Sequence, residues 1–411
     1  MNGCRTLAAV VLAAASLVAT APRAHAAPTD WEITALKAAQ ARSLSQKQGE
    51  GVTVAVIDTG VEDRHPALRG KVTQGPDYVP GGVKRGDRRW GVHGTAMAHA
   101  VLKIAPKARI LSIRGILERE DPSFNKKSSA GHVQPSIQYA VDHGADVISL
   151  SLGSDGTFDL GNTNQEQRAV GYAISKGIPV LAGAGNDGRA AELNQASFPA
   201  GLVGAIAVAA VKPDGGRAEF STVRSYNDVA APGVAINSAQ PGGGYKAIQG
   251  TSPATALASG VVALMKSRNP RLTPAEVRTI LRTTATGSGW SPVLGYGRID
   301  AARAVQAAAN PPRTLKNPVP HKGKSHLGKP TGVERKLVEP METSLIVTIA
   351  VAFLLGLALL GGGLMLRRRR HQRPIPAGGP PMGGPPMGGP PMGGPPMGGP
   401  PMGGPPMGGP R

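Results

Sequence analysis

Between residues 51 and 309 short β-branched runs alternate with helix-forming stretches, and this alternation restricts the fold more than any other feature of the chain. Strands are predicted at 52–57, 109–113, 147–150, 179–181 and 205–211, and helices at 96–103, 136–143, 166–176, 255–268 and 274–283. Strand then helix, repeated, predicts an α/β fold: a doubly wound parallel sheet covered on both faces. In such sheets functional groups gather at the carboxyl ends of the strands.

The ends of the 411-residue chain do not read as parts of a core. Residues 1–26 read as a secretory signal, with Arg5 in a short basic region, an apolar run over 7–18 and Ala24-His25-Ala26 as a small-x-small cleavage site; an uncleaved anchor is the alternative. Residues 27–50 form an N-terminal extension too short to fold alone, expected to wrap the domain at 51–309. A Pro- and Lys-rich stalk follows at 310–343, read as a solvated spacer or as a contact for anionic wall polymer or lipid. Residues 344–366 are 23 uncharged residues followed by four arginines at 367–370, the pattern of a C-terminal transmembrane helix with its C-terminal side in the cytoplasm. Gly361-Gly362-Gly363 within it is tolerable in a spanning helix or forms a packing surface. Pro-Pro-Met-Gly-Gly then repeats six times over 380–409 in a tail, 367–411, expected to be disordered and cytoplasmic. This organisation predicts a single-pass cell-membrane protein whose folded domain is extracytoplasmic.

The net charge of +20 does not indicate nucleic-acid binding, because residues 27–309 carry only +8 while 310–411 carry +10. Aromatics at 3% leave no stacking platform for single strands, so no nucleic-acid partner is expected. The only cysteine, Cys4, excludes a disulfide framework and a Cys-based zinc site.

Three strand or helix ends carry chemistry. An apolar run, Val54-Ala55-Val56-Ile57, ends in Asp58; His93 opens a helix ahead of Gly94, whose missing side chain permits close approach; Ser252 stands at the start of an Ala-rich helix. Each alone has an ordinary structural reading as a cap, a turn or a core residue. His93 and His99 are six apart with no Glu between them, so the helix-borne zinc pattern is not met. Together the three occur in the order Asp, His, Ser, with separations of 35 and 159, which is the subtilisin order of the Ser-His-Asp constellation.

The flanking residues resemble the subtilases: Val54–Val61 around Asp58, His93-Gly94-Thr95, the A-D-V-I-S-L-S-L-G run at 145–153, Ala184-Gly185-Asn186, Ala231-Pro232-Gly233 and Gly250-Thr251-Ser252. Within that superfamily, Trp31, the 49–53 stretch, the stalk and the C-terminal helix look like the mycosins, the membrane-anchored subtilases of actinobacterial type VII secretion. The resemblance implies a subtilisin-like fold and a serine endopeptidase acting on protein or peptide substrates, with secretion-complex membrane proteins as possible partners. Ser252 is then the nucleophile, His93 its base and Asp58 the residue that orients and stabilises the imidazole. Asn186 and the backbone N–H of Ser252 are the expected oxyanion donors, and Leu150, Ser151, Leu152 and Gly153 the strand that pairs with substrate. No cofactor is implied for catalysis. Subtilases often bind structural calcium, but no EF-hand-like loop or other spacing places a site, and no metal ligand is assigned.

Three residues depart from the family pattern. Ala256 replaces a usual proline, Pro253 follows the serine directly, and His99 replaces a usual glycine. Pro253 falls in a first helical turn, where a missing N–H is no loss. Two other readings accompany the endopeptidase: a catalytically silent subtilase acting as a membrane scaffold of a secretion complex, and a wall-binding surface protein. Retention of Asp58, His93, Asn186 and Ser252 favours catalysis.

Overall fold

The computed structural model describes residues 30–79, 82–118, 121, 124, 132–153, 160–189, 194–312 and 343–371. The signal segment, most of the stalk and the repeat tail lie outside the described residues.

In chain order the elements are α1 (Trp31–Ala35), α2 (Ala38–Ser45), β1 (Thr53–Asp58), β2 (Val72–Asp77), α3 (Val92–Ile104), β3 (Arg109–Arg114), α4 (Val133–Asp142), β4 (Val147–Leu150), α5 (Leu160–Ser175), β5 (Val180–Gly183), β6 (Ile206–Val211), β7 (Asn227–Pro232), β8 (Ile236–Ala239), β9 (Tyr245–Ile248), α6 (Thr251–Arg268), α7 (Pro274–Thr284), α8 (Ala301–Ala308) and α9 (Thr343–His371). Seven strands form one sheet in the order β2-β3-β1-β4-β5-β6-β7, all pairings parallel. The winding reverses beside β1, so the crevice expected of a doubly wound sheet opens at the carboxyl ends of β1 and β4.

Burial follows the two-residue period of the strands. Along β1, Val54 and Val56 enter the core shared with α3 and α6, whereas Ala55 and Ile57 enter the core shared with α4 and α5. Both faces are therefore covered, which explains why β1, β4, β5 and β6 read as continuous apolar runs. Helix α6 is buried from Pro253 to Ser267 and crosses the middle of one layer, so buried residues occupy every side of it.

The expected strands and helices are present, with ends displaced by up to six residues. Two further sheet strands, β2 and β7, escape pattern reading for one physical reason. They are the outermost strands, each with a single neighbouring strand in the sheet, where Gly75, Pro76, Asn227 and Pro232 are tolerated. The antiparallel hairpin β8–β9 leads directly into Gly250 and α6.

Helices α1 and α2 lie against the domain through specific bonds. The Trp31 indole donates to the Val234 carbonyl at 3.0 Å, Lys37 pairs with Asp300 at 2.6 Å, and the buried Lys103 ammonium bonds Asp30, Glu32 and the Asn237 carbonyl.

The chain divides into two compact units, residues 1–337 and 338–411. The second contains α9, 29 residues long, along which Phe353, Leu354, Leu359 and Leu360 are exposed. No helix among the described residues is long and apolar enough to cross a membrane. The spanning role of 344–366 is therefore a matter of proposal, resting on the uncharged run in the sequence.

Candidate active site

Asp58 is the last residue of β1 and is fully buried. A buried carboxylate needs partners, and both of its oxygens find one. His93 Nδ1 lies 2.8 Å from Oδ1 and 3.0 Å from Oδ2, and the Thr59 backbone N–H donates to Oδ1 at 2.7 Å. With Nδ1 held as donor, the acceptor lone pair of the neutral ring is on Nε2. The imidazole is partly open to solvent, at 35% exposure of its side chain.

His93 sits in the first turn of α3, which approaches β1 closely because Gly94 has no side chain. A Cβ there would stand 2.1 Å from the Gly60 carbonyl oxygen and 3.2 Å from the Asp58 Cβ.

Ser252 is half-buried in the first turn of α6. Its hydroxyl donates to the Ser151 carbonyl at 3.0 Å, which brings the start of α6 onto the end of β4. Pro253 occupies the same first turn without interrupting the helix, and Ala256 is fully buried in it.

Asn186 follows β5 in an exposed loop. Its Oδ1 accepts from the Thr251 N–H at 2.9 Å and the Thr251 hydroxyl at 3.1 Å, so the amide nitrogen is the free end of the side chain. That nitrogen would be 3.7 Å from a Cβ on Gly250, beside Ser252. The Ser252 N–H, in the first turn of α6, has no intrahelical acceptor. Two donors thus stand together near the serine.

The 150–153 segment continues from β4. Leu150 and Ser151 are buried, Leu152 is half-buried and Gly153 is exposed. A Cβ on Gly153 would meet Ser197 Oγ at 2.2 Å, so the chain runs flush against the 197 segment there.

Three further residues take part: Thr59 and Thr251, which lie within the motifs quoted above without an assigned role, and Glu118, which lies outside them. Thr251 anchors Asn186; Thr59 and Glu118 lie behind His93. Glu118 is buried at 9% exposure, accepting from the Thr59 hydroxyl at 2.6 Å and the His93 N–H at 2.7 Å. Burial pushes its carboxyl above the usual carboxylate range; those two bonds pull the other way, and the Asp58 charge adds to the rise. A carboxylate just past the end of β3 is the sole sequence signal that points to it.

His99, seven residues into α3, is turned away from this constellation. Its Nδ1 accepts the Ala239 N–H at 3.2 Å, and its ring lies against Tyr245 on the hairpin at 5.4 Å between centroids. Burial, with Lys103 nearby, lowers its pKa to about 4, so the ring is neutral. Among the described residues no group of three or more His, Cys, Asp or Glu side chains is arranged to hold a metal ion.

The model of the subtilase family matches residues 49–297. Thermitase of Thermoactinomyces vulgaris is 37% identical over 298 residues, which cover 69% of this chain and 95% of thermitase. Subtilisin E of Bacillus subtilis is 36% identical over 267 residues, covering 63% of this chain and 66% of its own. Among solved structures, the MycP3 protease from the type VII (ESX-3) secretion system aligns with a TM-score of 0.56 at 29% identity, over 67% of this chain and 87% of that one. MycP1 from Mycobacterium smegmatis aligns with a TM-score of 0.56 at 27% identity, over 70% and 85%. With the family match covering more than half of its length and the relatives those of a peptidase family, this chain belongs to the subtilases, the subtilisin-like serine peptidases.

Proposed function

We propose that the chain is a membrane-anchored, extracytoplasmic serine endopeptidase that hydrolyses peptide bonds of secreted or surface proteins through Asp58, His93 and Ser252. The observation that carries this reading is the buried Asp58 carboxylate at 2.8 Å and 3.0 Å from His93 Nδ1, at the carboxyl end of a central strand.

Ser252 Oγ attacks the scissile carbonyl carbon as its proton passes to His93 Nε2. The carbonyl π pair moves onto oxygen, and the Asn186 amide and the Ser252 N–H receive the oxyanion. Asp58 stabilises the imidazolium without taking its proton. Collapse breaks the C–N bond, and the leaving nitrogen takes the proton from Nε2. Water then repeats the sequence on the ester and frees Ser252. Substrate backbone adds as a strand along Leu150, Ser151, Leu152 and Gly153.

The extracytoplasmic placement is supported by the signal-like residues 1–26, the uncharged run 344–366 and the four arginines behind it. An association with type VII secretion is supported by the likeness to MycP3 and MycP1. The scaffold alternative needs neither the Asp58–His93 pair nor the Asn186–Thr251 bonds, so it leaves both without a reason. Incubation with a fluorophosphonate probe tests the reading: mass spectrometry finds the adduct on Ser252 in the parent and none in His93→Ala. Absence of an adduct in the folded parent refutes it.

A further inference from the structure

The first turn of a helix leaves N–H groups without intrahelical partners. In α3 the residue before that turn, Gly91, has no side chain to cap them. The acceptors come from elsewhere in the chain. Glu118 takes the His93 N–H, and the Thr59 hydroxyl takes the Gly94 N–H at 3.1 Å while donating its own proton to the same Glu118 oxygen. Thr59 is also the residue whose backbone N–H holds Asp58. One carboxylate oxygen therefore ties together the turn that carries the imidazole and the residue that holds its partner.

We propose that Glu118 is a positioning residue of the reaction, locking the His93 turn of α3 against Asp58 and adding a second negative charge to the field under the imidazole. The inference rests on the endopeptidase reading above. Its chemical logic is that a buried anion at a helix N-terminus is favoured by the N–H groups pointing at it, and that an imidazolium formed during the reaction is stabilised by each anion near it. The charged groups around Glu118 are Asp58 on β1 and His93 on α3. Beyond them, at the end of β3, lies the buried Arg114 guanidinium, 3.0 Å from Asp77 and 3.6 Å from Asp121.

Two variants of the full-length chain test this. Glu118→Ala removes both acceptor bonds and the charge, and is expected to lower kcat about tenfold or more with KM within about twofold, since a misplaced base acts on the transition state. Glu118→Gln keeps an acceptor oxygen and removes only the charge. It is expected to recover most of that kcat at about pH 8, yet to move the acid limb of kcat/KM, and the NMR titration of the His93 ring, downward by about half a unit or more. A Glu118 of purely structural role would lower Tm in both variants and leave the pH profile in place. If the His93 titration in Glu118→Gln coincides with that of the parent, the proposal is overturned, even where Glu118→Ala fails to fold. Fluorophosphonate labelling of the parent separates the two claims: no adduct on Ser252 refutes the endopeptidase reading and this proposal with it, whereas an adduct with an unmoved titration refutes the role of Glu118 alone.

Discussion

Ser151 and Ser252 exchange a pair of hydrogen bonds: the Ser252 hydroxyl donates to the Ser151 carbonyl and the Ser151 hydroxyl donates to the Ser252 carbonyl, both at 3.0 Å. The end of β4 and the start of α6 are thereby held in one register, although 101 residues separate the two serines. Ser252→Ala removes one of these bonds, at a cost of about 1 kcal/mol. The expected outcome is a folded protein with Tm lower by a few degrees at most and no hydrolysis of a denatured protein substrate. Hydrolysis at the parental rate by the purified Ala variant rules Ser252 out as nucleophile.

Asn186→Ala is expected to lower kcat by roughly 10²–10³-fold with little change in KM, because in the proposed mechanism its amide nitrogen acts on charge that exists only in the transition state. Steady-state kinetics on a peptide substrate checks it. A raised KM at unchanged kcat makes Asn186 a substrate clamp instead.

His99 predicts an acid-side loss of stability. Burial lowers its pKa from 6.5 to about 4 in the folded chain, so between those values the unfolded state binds a proton that the folded state does not. Stability from this group is complete above pH 6.5 and declines as pH falls toward 4, by up to about 3 kcal/mol. His99→Asn retains an acceptor for the Ala239 N–H and does not titrate there. Urea unfolding at pH 7 and pH 4.5 is expected to show a steeper loss in the parent than in the variant; equal losses refute the assignment.

Asp228, buried in β7, pairs with Arg278 at 3.1 Å and with Arg282, and accepts the Ala207 N–H at 3.2 Å. It fastens α7 to the sheet edge. Asp228→Ala strands the half-buried guanidiniums and is expected to cost about 3–5 kcal/mol, read as a lower urea midpoint. A loss under about 1 kcal/mol would show that water replaces the pair.

The proposed topology predicts that protease added to intact protoplasts cuts within residues 310–343 and leaves a tag placed after Arg411 intact. A chain ending before Met341 is expected to be released in soluble, active form, since none of the proposed reacting groups lies beyond it. Digestion of the C-terminal tag in sealed cells overturns the topology.

Local sequence determined the parts of this protein whose physics is local. The continuous apolar runs at β1, β4, β5 and β6 follow from burial on both faces, and Asp58, His93 and Ser252 stand out because each interrupts such a pattern at the end of an element. The family motifs were legible for the same reason, being short runs around single turns. What only the tertiary structure decided depends on contacts between distant segments. Edge strands β2 and β7 look like loops until a neighbour supplies their hydrogen bonds. Asn186 shows which end of its amide is free only once Thr251, 65 residues on, occupies the other. Glu118 is an ordinary loop carboxylate until folding carries the end of β3 alongside β1, in the register that sets Asp58 opposite Arg114, and α3 closes over both. A parallel sheet pairs strands through long crossovers, so the groups that meet at its carboxyl edge are distant in the chain, and no window of neighbouring residues contains them.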